Sequence, residues 1–185
     1  MPLFPSLPDD ALVADVYPMN PKLFRVWCEV EEGIMRWPSA FSPGEREMMG
    51  AYCSSLNACT YCASSHSEAA IAFGIDRAVF EPLMEDVETA PLDDKLKPVF
   101  RFLKKLTLTP SRMVRADADA VFAAGWDEKA LQDAIMVCCV YAFMNRFVDG
   151  HGLPADPAMF KERGRRHMEH GYVAQYATET AGEDD

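Results

Sequence analysis

The chain of 185 residues is long enough for one domain with a real core, and its composition, 49% hydrophobic and 25% charged, is ordinary for a globular protein. A formal charge of −11 excludes nucleic acid and anionic membrane surfaces as partners, because phosphates would be repelled. The opening MPLFPSLPDDALVAD is proline-rich and acidic rather than a basic leader. No apolar run approaches the ~18–20 residues that span a bilayer, so a cytoplasmic protein without a membrane partner is expected.

Prolines at 2, 5, 8 and 18 make residues 1–19 an N-terminal arm, extended with at most a short turn. Asn20 followed by Pro21 is a helix start, an N-cap with proline at N1. Leu23, Val26, Trp27, Val30 and Ile34 recur at helical spacing to about Met35. That stripe is expected to face the core, with Glu29, Glu31 and Glu32 in solvent. Trp37-Pro38 breaks the helix, and Ser42-Pro43-Gly44-Glu45 then spells a capping box. Capping explains Glu45 but not Glu47, which leads into the nearly charge-free run Met48, Met49, Gly50, Ala51, Tyr52 and Cys53. The plain alternative for Glu47 is an exposed first-turn glutamate favoured by the helix dipole.

Asn57 ends or kinks that helix, and Cys59–Phe73 forms the next, closed by Gly74. Asp76 caps a short helix to about Leu83. Asp93 or Asp94 opens another, with Leu96, Val99, Phe100, Leu103 and Leu106 as its apolar stripe and Pro98 tolerated near its start. Thr109-Pro110-Ser111 is a turn before a helix to about Ala124, stopped by Gly125. Asp127 then caps the most apolar helix of the chain, which runs to Gly150 and Gly152. Its apolar residues wrap most of the circumference, the mark of a central or interface helix. A last helix runs from about Pro157 to His170, and residues 177–185 are expected to be a disordered acidic tail. No stretch reads as a strand, so the fold class is all-α, a single helical domain over residues 20–176.

The chemistry centres on EMMGAYCSSLNACTYCASSH, residues 47–66. Cys28, Cys53, Cys138 and Cys139 sit in apolar helical patterns, where a free cysteine acts as a small hydrophobe. A Cys-x-x-Cys in a reducing compartment is instead catalytic or metal-binding. On a helix Cys59 and Cys62 (i, i+3) are neighbours, as are Cys62 and His66 (i, i+4), so one face presents two thiols and an imidazole. Only the thiolate is nucleophilic, and both a helix N-terminus and an adjacent imidazole favour it. The first argument favours Cys59 as attacker, the second Cys62. Glu47 would accept a proton or orient the histidine. Zinc is an alternative ligand for the cluster, although residues at i, i+3 and i+7 of one helix do not easily surround a tetrahedral ion. A non-enzymatic helical module with buried cysteines is the other. His151 reads as a loop histidine. His167 and His170 fall with Lys161, Arg163, Arg165 and Arg166 in a basic patch, expected to be solvated or to pair between subunits. Trp27, Trp37 and Trp126 are expected in a core or interface.

The order Glu47, Cys59, Cys62, His66 resembles the active-site pattern of the alkylhydroperoxidase D-like family within the carboxymuconolactone decarboxylase superfamily. The block LNACTYCASSHSEAA and the later WDEKALQDAIMVCCVYAFMNRFVDGHGLP resemble its peroxidase-related branch, over roughly residues 20–165. The resemblance implies an all-helical bundle that forms homo-oligomers (dimers, trimers or hexamers). It implies thiol-dependent reduction of organic hydroperoxides without metal, flavin or haem, and a dithiol or thiol-protein electron donor. It gives Cys62 the role of reactive thiol, Cys59 that of resolving partner, and Glu47 and His66 that of proton relay. Tyr61 stands where the best-studied members carry a second histidine. A thiol–disulfide oxidoreductase acting on another substrate is the alternative enzyme.

Overall fold

Helix starts follow the chemistry of their caps, since the first-turn amides need acceptors. The computed structural model describes residues 1–174 of the chain, and among these residues only helices and turns occur. Helix α1 (Pro21–Arg36) begins where the Asn20 side chain accepts from the Leu23 amide. Helix α2 (Pro43–Leu56) has the reciprocal Ser42–Glu45 capping box read from the sequence. Helix α3 (Thr60–Ala72) is closed by Gly74 at φ +98°, with the Ile75 amide bonded back to the Ala70 carbonyl. A short 3-10 turn capped by Asp76 leads into α4 (Phe80–Glu85). Helices α5 (Lys97–Leu108) and α6 (Arg115–Ala123) follow. The long α7 (Glu128–His151) starts at Asp127, whose carboxylate accepts from the Ala130 amide at 2.8 Å. The last helix is α8 (Pro157–His170).

Expectations change at α5, at the N-terminal stretch, at α7 and at α1. Helix α5 does not open at Asp93 or Asp94: the Asp93 carboxylate accepts from the Lys95 amide and its carbonyl from Leu96, which makes a separate turn before the helix. The N-terminal stretch expected as an arm is folded onto the body, with a 3-10 helix over Val13–Met19 that buries Val13, Val16 and Tyr17. The acidic tail expected at 177–185 lies outside the described residues. By length and composition α7 is apolar enough to cross a bilayer, contrary to the expectation that no segment approaches this. Here it runs through the protein, burying Ala134, Val137, Tyr141 and Asn145.

The largest change concerns α1. Its buried face carries Phe24, Cys28, Glu31 and Met35, whereas Leu23 and Val26 are each 52% exposed. Glu31, expected in solvent, is 3% exposed. Both stripes have helical spacing, and the aliphatic one was the stronger signal, but the neighbours select the other. The outward stripe, with Trp37, Met136 and Val173, borders an open groove of about 870 Å³.

Helix α2 packs on α3 and α7, and α3 packs on α8. Two glycines let these backbones approach. A Cβ on Gly50 would meet the ring of Tyr141, and one on Gly164 would lie 2.5 Å from the Glu68 carbonyl carbon. The second obstacle is backbone, which has no alternative rotamer to adopt. Gly164→Ala is therefore expected to push α8 off α3 and cost about 3 kcal/mol, at the upper end for overpacking, read as a lowered urea midpoint with unchanged slope.

Candidate active site

A tight corner between α2 and α3 sets the thiols. The Cys59 amide bonds the Ser54 carbonyl (3.0 Å) and the Ala58 amide bonds that of Ser55 (2.9 Å), the pair of bonds that closes a helix with a left-handed residue. That residue is Ala58, at φ +58°, where glycine is usual and a Cβ costs ~1–2 kcal/mol. The corner leaves Cys59 as the N-cap of α3 and Cys62 in its first turn. Both are buried, at 0% and 3% exposure, and Cys62 hydrogen-bonds Cys59. That bond and burial push the Cys62 thiol up, and the charge of Cys59 adds to them. The Asn145 amide acts in the opposite direction. Asn145, from α7, is itself fixed: its Nδ2 donates to Ser54 Oγ (2.9 Å) and its Oδ1 accepts from Asn57 Nδ2 (2.8 Å).

Glu47 is completely buried. Its Oε2 accepts from His66 Nδ1 at 2.6 Å, and its Oε1 accepts from Arg36 Nη2 at 2.5 Å and from the Tyr172 hydroxyl at 2.9 Å. The Tyr141 oxygen lies 3.0 Å from His66 Nδ1 and 3.2 Å from the Tyr172 oxygen. One assignment of protons satisfies the whole set: Nδ1–H donates to the carboxylate and is shared with the Tyr141 oxygen, Tyr141 donates to Tyr172, and Tyr172 donates to Glu47. Burial alone would raise the Glu47 carboxyl, but the charges of His66 and Arg36 outweigh it and hold the group well below the ordinary range. Burial keeps Tyr141 and Tyr172 as neutral hydroxyls.

With Nδ1 engaged, Nε2 is the His66 nitrogen left to exchange a proton. His66 and Cys62 line a small cavity of about 30 Å³, together with Glu31, Arg163, His167 and Tyr172. Such a space holds a water or two. His167 is 5% exposed and its Nδ1 has no hydrogen-bond partner among the described residues. Burial, then the charge of Arg163, holds its imidazole well below the usual value, so it is neutral.

The structure therefore brings Cys59 against Cys62 and Glu47 against His66, and puts Cys62 and His66 on one cavity. The basic patch divides: Arg165 pairs with Glu162 and Glu169 at the surface, as expected, whereas Arg163 and His167 turn inward. His151 stays away, its Nδ1 on the Phe147 carbonyl and its ring against Phe4. Trp37 is 66% exposed rather than in a core. Arg36, Glu31, Asn145, Tyr141 and Tyr172 were not singled out for the site. Only Tyr141 and Asn145 carried a signal, as polar side chains at i, i+4 in an otherwise apolar helix. Among the described residues no group of three His, Cys, Asp or Glu side chains is placed to share a metal ion.

Residues 21–105 match the carboxymuconolactone decarboxylase family. Two solved structures share the fold. One is an uncharacterized peroxidase-related protein from Silicibacter sp. TM1040, with TM-score 0.75 and 24% identity over 83% of this chain and 80% of that one. The other is described as an alkylhydroperoxidase AhpD core, an uncharacterized peroxidase-related protein from Ralstonia eutropha JMP134, with TM-score 0.73 and 20% identity over 81% and 78%. No curated protein matches the chain.

The Glu47 cluster makes a pH-dependent stability prediction. A carboxyl depressed in the folded state stabilises the protein above its unfolded value of ~4.3, and that contribution is lost as pH falls through the folded value. Glu47→Gln also leaves Arg36 buried without its counter-charge. It is expected to cost about 3–5 kcal/mol at pH 7, and the gap to the parent should narrow steadily in urea titrations below about pH 4.

Proposed function

We propose, from the match of residues 21–105 to the carboxymuconolactone decarboxylase family and the fold shared with an alkylhydroperoxidase core, a thiol-dependent peroxidase that reduces organic hydroperoxides. The observation that carries the reading is Cys62, buried beside Cys59, on the cavity that His66 also lines, with Glu47 behind His66. A cavity of about 30 Å³ suits the hydroperoxyl end of a small substrate.

Cys62 is the attacking thiol in this cycle. Its proton passes to His66 Nε2, and Glu47 stabilises the resulting imidazolium through Nδ1–H. Asn145 supports the thiolate. The thiolate attacks the terminal peroxide oxygen, the O–O bond breaks, and sulfenic acid forms on Cys62 as the alcohol leaves. Cys59 displaces the sulfenic hydroxyl, its own proton completing a water molecule, and the Cys59–Cys62 disulfide results. A dithiol or thiol-protein donor returns two electrons through a mixed disulfide. A reducing cytoplasm would keep the resting pair as thiols.

The same reading assigns the outward stripe of α1 to a second copy of this chain. Leu23, Val26 and Trp37 are more than half exposed, and flanks of both α1 and α7 border an apolar groove. Light scattering should find an oligomer, and Leu23→Asp with Val26→Asp should convert it to monomer. A monomeric parent protein would rule this interface out.

Stoichiometric organic hydroperoxide is expected to convert the reduced protein to a Cys59–Cys62 disulfide within the peptide spanning 47–77, faster than free cysteine oxidises. Mass spectrometry of Cys59→Ser should find sulfenic acid on Cys62. Sulfenic acid on Cys59 in the Cys62→Ser protein would reverse the two roles. Thiols that stay reduced would end the peroxidase reading.

A further inference from the structure

The peroxide step needs a proton that the Glu47 cluster is poorly made to give. When the thiolate opens the O–O bond, the departing oxygen leaves as an alkoxide unless something protonates it. Glu47 is held ionised and has no proton to donate. His66, once it carries the Cys62 proton, is stabilised in that state by Glu47 at 2.6 Å. Tyr172 spends its hydroxyl proton on Glu47 Oε1. His167 is neutral and too weak a base to arrive protonated.

Glu31 is the carboxyl group that lines the cavity. Glu31 lies on the buried face of α1, at a position three residues from Cys28 and four from Met35 where an apolar side chain would be the simple choice. It is 3% exposed, and among the described residues it has no cation within ion-pair distance. A carboxyl buried in this way is costly to the fold unless it stays neutral. The groups around it work in both directions. Burial and the charge of Glu47 on α2 push the carboxyl up to about 8, while the Trp27 indole and the charges of Arg163 and Arg36 oppose them. Tyr17 from the N-terminal turn, Cys28 from α1, Tyr61, Cys62, Ser65 and His66 from α3, His167 from α8 and Tyr172 complete the polar and titratable lining of the cavity. The chain therefore holds two buried carboxyl groups in opposite protonation states, a recurring arrangement where acid and base roles are divided.

We propose that Glu31 is a catalytic residue, the general acid that protonates the leaving oxygen as Cys62 attacks. The step balances: thiolate, hydroperoxide and carboxylic acid give sulfenic acid, alcohol and carboxylate, with sulfur oxidised by two electrons and the O–O bond reduced by two. The proton parked on His66 then returns to Glu31 through the cavity, so each turnover begins from the same state. Arg163 and Arg36 favour the transient Glu31 carboxylate.

This inference rests on the peroxidase reading, and one experiment separates the two. Stopped-flow rates of Cys59–Cys62 disulfide formation are compared for the parent, Glu31→Gln and Glu31→Asp, with tert-butyl hydroperoxide and with peracetic acid. The alkoxide leaving group of the first needs a proton, and the carboxylate of the second does not. Glu31→Gln should slow the tert-butyl hydroperoxide reaction about 100-fold, the lower end for a general acid, and the peracetic acid reaction less than about 3-fold. Glu31→Asp should recover part of the loss. The parent rate with the alkyl substrate should fall as pH rises above about 8, and Glu31→Gln should lack that fall. Equal slowing with both oxidants, or none with tert-butyl hydroperoxide, would overturn the role of Glu31 and leave the peroxidase standing. A parent protein inert to both oxidants would overturn the two together.

Discussion

A single buried carboxylate holds this site together. Glu47 draws donors from Arg36 at the end of α1, His66 on α3 and Tyr172 beyond α8, and Tyr141 on α7 joins through His66 and Tyr172. Taking a carboxylate out of water costs several kcal/mol, and only a full set of donors and counter-charges makes its burial tolerable. Each donor comes from a different part of the chain, so the set exists only when the helices are correctly packed. The network is thereby both the electrostatic reason for the site and a device that fixes helix positions.

The thiols obey a different constraint. Cys59 and Cys62 share one turn of α3, and their contact is local, fixed by the corner at Ala58 and by the start of the helix. A left-handed alanine at that corner is strain retained beside the cysteines, where backbone strain commonly gathers in functional sites. Mutual hydrogen bonding and burial keep Cys62 as a thiol at rest. Reactivity then depends on a base that appears only in the folded site, His66 with its free Nε2. A thiol protonated at rest is protected from adventitious oxidation and becomes nucleophilic only when the proton has somewhere to go.

The cavity brings these two constraints together with a third, the inward turn of α1 and α8. Glu31 and Arg163, with His167, bring charge and an imidazole to the cavity on which Cys62 reacts. The close crossing of α3 and α8 at Gly164 puts Arg163 and His167 within reach, because no Cβ intervenes. Opposite charge states on Glu47 and Glu31 arise from their environments alone: two arginine- and histidine-facing oxygens in one case, burial and a neighbouring negative charge in the other.

What the sequence determined by itself was local. Caps at Asn20, Ser42 and Asp127, the stop at Gly74 and the spacing of Cys59, Cys62 and His66 are written within a few residues of one another, so hydrogen bonding along the chain decides them. The absence of any Asp, Glu, Lys or Arg between Glu47 and Glu68 also made its burial legible. Tertiary structure decided the rest. Two stripes of α1 had equal helical spacing, and only the packed neighbours turned Phe24, Cys28, Glu31 and Met35 inward and left Leu23 and Val26 outside. Arg36, Tyr141, Tyr172, Arg163 and His167 reach the cluster from up to 125 residues away from Glu47. No periodicity encodes such contacts, because periodicity reports which residues share a face and not which face the fold will bury.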